Sequence, residues 1–218
     1  MHSVKLKCIS RPVDDDIPST AALLAYFARV SSTANQHKHD SGPKLLRTLV
    51  RRKEWSPLEM IHMTMEIVTT RDIARQILRH RSFSFQEFSQ RYAEVTDDPI
   101  FREARLQDHK DRQNSIETGD EELHTWWEGE QAQVAAIANT AYEHALKCGI
   151  AKEVARAVLP EGITVSRLYM GGTLRSWLHY CDLRCDRKTQ KEHRLIADDV
   201  KAIILDQLPE LKDVWNVD

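Results

Sequence analysis

The stretch ILRHRSFSFQEFSQRY, residues 77 to 92, sets Arg79, His80, Arg81 and Arg91 among Phe83, Phe85, Phe88 and Tyr92. A guanidinium group presents a planar fork that matches phosphate and stacks on flat rings. Gln76, just upstream, can read the edge of a base, and an aromatic ring can support its face. A solvated charged surface would account for the arginines but gives the phenylalanines no purpose. The combination points to a ligand with an anionic end and a flat heterocyclic end, as in a nucleotide.

The arginines before this stretch continue the theme. On a helix over 71–81, Arg71, Arg75 and Arg79 fall at i, i+4 and i+8, along one face. Like charges at that spacing repel by a few tenths of a kcal/mol per pair, and Asp72 alone does not offset three. Either carboxylates elsewhere in the fold pair with the row, or the row meets an anionic ligand. A second constellation lies downstream. EVARAVLP carries Arg156, and TLRSWLHYCDLR carries Arg175 and His179 one turn apart, with Arg184 beyond. Trp177, Leu178 and Cys181 read as packing residues of that second segment.

Other chemistries find less support. Cys181 and Cys185, with His179 and His193, form no usual zinc spacing and sit in helical sequence. His37 and His39 read as loop histidines, so no metal site is expected. The chain has no GxGxxG after a strand and no GxxxxGK[ST]. Its 31 basic and 33 acidic residues give a net charge of −2, so anion binding must be local and nucleic acid gains no global attraction. The four cysteines contain no CxxC pair, and no run approaches the ~20 apolar residues of a membrane span. A reducing, cytoplasmic setting is expected.

The elements that must position these residues follow from patterning. Residues 4–9 alternate as a strand. Ser19 and Thr20 are cap candidates for a helix through AALLAYFARV, and Pro43 opens a second. Alternation from about 59 to 69 predicts a strand, followed by the helix over 71–81. A long helix runs from about 121 to 148 and closes at Gly149. A short helix AKEVARAVL, a strand in GITVSRLYMGG and two final helices complete the chain. Residues 97–122 are polar with few apolar anchors, the signature of a mobile insertion. Too few strands exist for a doubly wound sheet. The expectation is a single α+β domain, a small mainly antiparallel sheet flanked by long helices, without a Rossmann unit.

Arg79-His80-Arg81, seven further residues and then Ser89 resembles the signature of flavin-dependent thymidylate synthases. SPLEM with its following strand, ARQILRHR, SQRY, EVARAVLP and TLRSWLHYCDLR…TQKEHR are similar to the family's other blocks, in the family's order, across residues 55 to 200. The resemblance implies a homotetramer with active sites shared between subunits. It implies FAD as redox carrier, NADPH as reductant, and methylenetetrahydrofolate as carbon donor for reductive methylation of dUMP to dTMP, with no enzyme nucleophile.

Carried over by position, Gln76, Arg79, Glu87, Phe88, Ser89, Gln90, Arg91, Arg156 and Arg184 would bind dUMP. Arg79, His80, Arg81, Arg175, His179 and Leu183 would bind FAD. Arg184 and Ser89 carry the catalytic assignment. By the same resemblance Arg184 would stabilise charge developing on the uracil, and Ser89 would orient, since no base is poised beside it in the sequence. Met60, Gln86, Thr173 and Lys188 depart from the family's usual residues, which puts individual flavin contacts in question. The competing readings are a nucleic-acid-binding module and a family member that binds nucleotide without turnover.

Overall fold

The computed structural model describes residues 2–215. Its centre is strand His62–Thr70 (β2), whose alternation puts Met63, Met65 and Ile67 fully out of solvent. With β1 (Ser3–Ile9), β3 (Ser84–Glu87) and a later strand Val165–Thr173, it forms one antiparallel sheet. Two short strands intervene, β4 (Arg105–Gln107) and β5 (Ser115–Glu117), so the later strand is β6. The sheet order is β1-β2-β6-β3. Met65 stands opposite Met170 and Ile67 opposite Leu168, which stacks one apolar face across the central pair. The other face is polar, with the Tyr169 hydroxyl donating to Glu66 at 3.0 Å. An antiparallel sheet with one wet face is the common solution.

Helices α1 (Thr20–Ala28), α2 (Gly42–Arg52), α3 (Arg71–Ile77), α6 (Leu174–Arg184) and α7 (Lys191–Gln207) share the core with that apolar face. Between α3 and α6 lie α4 (Glu121–Lys147) and the single turn α5 (Lys152–Ala155). Ser19 caps α1 by accepting from the Ala22 N–H at 3.1 Å, and Pro43 sits in the first turn of α2. Gly149, at φ +81°, closes α4 in a conformation that suits glycine. These agree with the patterning, and the α+β architecture holds.

Three boundaries differ. The helix expected over 71–81 ends at Ile77, and His80 N–H donates to the Ile77 carbonyl in a turn at 3.1 Å. The chain then extends as β3, because the free edge of β6 offers backbone partners that outweigh helix propensity. Strand β2 starts at His62 rather than 59, since Pro57 opens a 3₁₀ turn over Ser56–Met60. AKEVARAVL divides into α5 and a 3₁₀ turn at Arg156–Val158. Within 97–122 the sequence carries no strand signal, yet β4 and β5 pair there as a separate ribbon. Ion pairs hold that segment: Arg102 to Asp72 at 2.6 Å, Arg105 to Glu192 at 2.6 Å, and Lys191 to Glu103 at 2.6 Å.

Candidate active site

The arginine row resolves into two kinds of residue. Arg71 is buried and lies 3.7 Å from Glu87 and 3.8 Å from Glu161, while Arg75 reaches Glu161 at 3.1 Å. Internal carboxylates therefore neutralise the helical part of the row. Arg79 lies past the end of α3, so the three do not share one helix face. Arg79 and Arg81 are exposed on the turn and make no side-chain ion pair or hydrogen bond among the described residues.

Between them His80 turns inward. The Arg184 Nε–H donates to His80 Nε2 at 2.9 Å, which requires a lone pair on Nε2 and places the ring proton on Nδ1. Burial, followed by the nearby charges of Arg184 and His179, pushes the His80 pKa down to about 4. A neutral imidazole thus fixes the guanidinium of Arg184 without competing charge. The ring stands edge-on to Tyr180, with centroids 4.9 Å apart.

Gln76 belongs to a directional hydrogen-bond chain behind this pair. Its Nε2 donates to Gln190 Oε1 at 2.8 Å, so its Oε1 accepts from His193 Nδ1 at 3.3 Å. His193 Nε2 then accepts from the Tyr180 hydroxyl at 3.1 Å. At the other end Gln190 Nε2 donates to Glu192, which in turn pairs with Arg105 of the ribbon. His193 is fully buried, and burial foremost pushes its pKa down to about 3. Each link pairs a donor with an acceptor, so the Gln76 amide is held in one orientation.

The sequence offered little warning of His193, Tyr180, Gln190 and Glu192. The available signal was periodicity: His193 lies on the same stripe of α7 as Ile196, Ala197, Val200 and Ile204, where a histidine must find internal partners. Its partners are Gln76 and Tyr180. Cys181 is buried against the Ala197 carbonyl at 3.8 Å, and burial pushes its thiol pKa up.

Arg175 and His179, on the exposed side of α6, line a cleft of about 230 Å³ with Trp55, Ser82, Ser176 and Asp182. Glu59 accepts from Arg175 at 2.6 Å. Leu183 is half exposed at the end of the same helix. Thr173, one of the departures from the usual family residues, caps α6 by accepting from the Ser176 N–H at 3.2 Å. Met60 is exposed nearby in the chain, and Gln86 and Lys188 are exposed. Phe83 and Phe85 serve packing. A Cβ on Gly172 would stand 2.4 Å from the Phe83 ring, whose centroid lies 4.7 Å from that of Trp177.

The remaining expected residues form a separate group. Glu87 accepts from the Ser166 hydroxyl at 2.7 Å, and the Phe88 N–H donates to the Arg167 carbonyl at 2.8 Å. Ser89 Oγ accepts from the Arg91 N–H at 3.4 Å. No histidine or carboxylate hydrogen-bonds that hydroxyl among the described residues. Gln90 is buried, and its Nε2 lacks a partner among the described residues. Arg91 donates to Glu153 of α5 at 3.2 Å, close in the chain to Arg156. One chain therefore joins Gln76, His80 and Arg184 in one locus and Arg91 with the α5 region in another. No hydrogen bond links the two sets among the described residues.

A family model described as Thymidylate synthase complementing protein matches residues 13–210. A protein of Paramecium bursaria Chlorella virus 1 named "Probable flavin-dependent thymidylate synthase" is 46% identical over 209 residues, covering 96% of each chain. The flavin-dependent thymidylate synthase of Synechocystis sp. is 50% identical over 197 residues, covering 90% of each. Among solved structures, a UMP/dUMP methylase from Streptomyces cacaoi bound with 5-Br dUMP superposes with a TM-score of 0.80 at 26% identity, over 99% of this chain and 96% of that one. The expected resemblance holds over nearly the whole sequence, and the chain belongs to the thymidylate synthase complementing protein family, the flavin-dependent thymidylate synthases.

Proposed function

We propose that this chain is a flavin-dependent thymidylate synthase that methylates dUMP to dTMP. The observation that carries the reading is the Arg79-His80-Arg81 turn: two exposed guanidinium groups, paired with no carboxylate among the described residues, flank a neutral histidine that fixes Arg184. Kinship at 46–50% identity with proteins of that name supports the same conclusion. The nucleic-acid alternative is not favoured, because Arg71 and Arg75 are neutralised by Glu87 and Glu161 and leave no continuous basic strip.

FAD fits the donor set. Arg79, Arg81, Arg175 and His179 supply cationic and hydrogen-bonding groups for its phosphates and ring, and Leu183 an apolar edge. Held there, FAD would supply the hydride equivalent, with NADPH as its reductant and methylenetetrahydrofolate as the carbon donor. The chain's own work is to bind and orient. Gln76, held by Gln190 and His193, presents its remaining amide hydrogen to the base. Arg184 stabilises negative charge on the uracil carbonyl side. Arg91 and Arg156, with Glu87, Phe88 and Gln90, hold the nucleotide. Ser89 orients it, since among the described residues its hydroxyl has no base beside it to make it a nucleophile.

The division of these residues into two loci supports a homotetramer, in which one subunit's Arg91 and Arg156 meet another's Arg184. The 27-residue helix α4 supports it too. It buries a single stripe, Gln131, Ala135, Ala138 and Tyr142, and leaves Trp126, Val134 and Ile137 more than half exposed. Such a patch suits a subunit interface. No helix of the described residues is long and apolar enough to cross a membrane. The four free cysteines support a reducing, cytoplasmic setting. Purified protein is expected to show flavin absorbance and to gain thermal stability with dUMP. A colourless protein that takes up no added FAD and does not respond to dUMP would overturn the reading.

A further inference from the structure

Away from the active site, two loops that flank α1 bring three potential ligands together. Asp16 precedes the helix, and His37 and His39 follow it. The Asp16 carboxylate lies 3.8 Å from His37 Nδ1 and 3.9 Å from His39 Nε2, and all three ligand atoms fall within 4.8 Å of one another. Zinc bonds of about 2.0–2.2 Å in tetrahedral geometry separate neighbouring ligand atoms by roughly 3.3 Å. The two edges at Asp16 therefore exceed that spacing by about half an ångström, within reach of side-chain rotation.

The loops are already held for such a role. Ile17, buried in the core, anchors the turn in which its own N–H donates to the Asp14 carbonyl at 3.2 Å. Arg29 donates to the Lys38 carbonyl and to Ser41 Oγ, both at 2.7 Å, and so fixes the chain on either side of His39. Tyr26 packs against both imidazoles, with centroids 5.5 Å from His37 and 6.4 Å from His39.

His39 supplies the independent sign of a ligand. Its side chain is 13% exposed, and both ring nitrogens are buried without a hydrogen-bond partner among the described residues. Buried imidazole nitrogens are ordinarily satisfied. A cation between Nε2 and Asp16 would engage one of them. Asp14, Asp15 and Asp40 neighbour the three residues in sequence and add negative charge to the same two loops.

We propose that Asp16, His37 and His39 form a binding site for a divalent transition cation of the zinc class, with a fourth position open to water. Two imidazoles and one carboxylate are a donor set that zinc accepts. The spacing His37-x-His39 alone gave no third ligand, which is why the sequence reads them as loop histidines. The fold supplies it across α1, so the cation would tie together the segments at the two ends of that helix.

The test uses full-length protein stripped of metal by a chelator, titrated with zinc chloride by calorimetry and with cobalt chloride by visible absorption. One zinc per chain is expected, with cobalt giving the intense visible bands of a tetrahedral site. His37→Ala and Asp16→Asn should each weaken zinc binding by more than the roughly 10–100-fold that loss of an outer-shell partner costs. Both side chains are about two-thirds exposed, so the variants should fold, as matching circular dichroism would verify. His144→Ala, which removes the exposed imidazole 3.5 Å from Cys148, should leave binding unchanged. Zinc binding that survives both ligand variants, or is lost with His144→Ala, overturns the proposal. So does the absence of any binding at micromolar zinc.

Discussion

Replacing His193 by glutamine separates hydrogen bonding from titration in the network behind the active site. At pH 7 the variant leaves the fully buried Tyr180 hydroxyl and the Gln76 carbonyl with poorer partners. That loss should cost about 1–3 kcal/mol. Acid reverses part of the difference. His193 has a pKa of about 3 in the folded chain against 6.5 when free, so the unfolded chain takes up the proton first. Stability from a depressed histidine is intact above the unfolded value and declines as pH falls from there toward the folded one. At pH 5 the deficit is about 1.5 units below the unfolded value, or about 2 kcal/mol at ~1.36 kcal/mol per unit. His80, with a folded pKa of about 4, acts in the same direction. It is only half buried, so screening reduces its share to less than about 1 kcal/mol. Glutamine does not titrate, and the gap between wild type and variant should therefore narrow by about 2 kcal/mol between pH 7 and pH 5. Urea unfolding at both pH values and one protein concentration measures it. A gap that is the same at the two values would refute the claim that His193 is held neutral by burial.

Two further variants probe the site and its scaffold. Arg184→Ala should lower turnover about 10²–10³-fold, the usual effect of losing one charge-stabilising donor, while the fold is retained. Near-normal steady-state activity would remove Arg184 from the role assigned to it. Gly172→Ala should destabilise by about 1–3 kcal/mol, because the new Cβ would meet the Phe83 ring at 2.4 Å and displace it from Trp177. Wild-type stability in chemical denaturation would mean that Phe83 is not confined there.

The frame of the molecule was readable where local physics and tertiary structure agree. Alternation marked β2, Ser19 and Pro43 marked helix starts, and Gly149 marked the end of α4. The turn at Arg79-His80-Arg81 was not, because its residues tolerate a helix and only the edge of β6, distant in sequence, draws the chain into β3. The ribbon β4–β5 was hidden for a related reason. Its anchors are ion pairs to Asp72, Glu192 and Lys191 rather than apolar residues, and ion pairs leave no periodic trace. In the site, arginines stood out by type and spacing. Their sorting did not: Arg71 and Arg75 serve the fold through Glu87 and Glu161, and Arg79 and Arg81 stay available. Only the three-dimensional placement of the carboxylates distinguishes them.

The central claim is methyl transfer to C5 of dUMP, which must displace the hydrogen there. Release of tritium from C5-labelled dUMP by the purified, FAD-loaded enzyme tests it most directly. Release that requires both methylenetetrahydrofolate and NADPH, with dTMP formed in step, is the predicted result. A flavin-loaded protein that binds dUMP but yields no dTMP, with both co-substrates present, would contradict it.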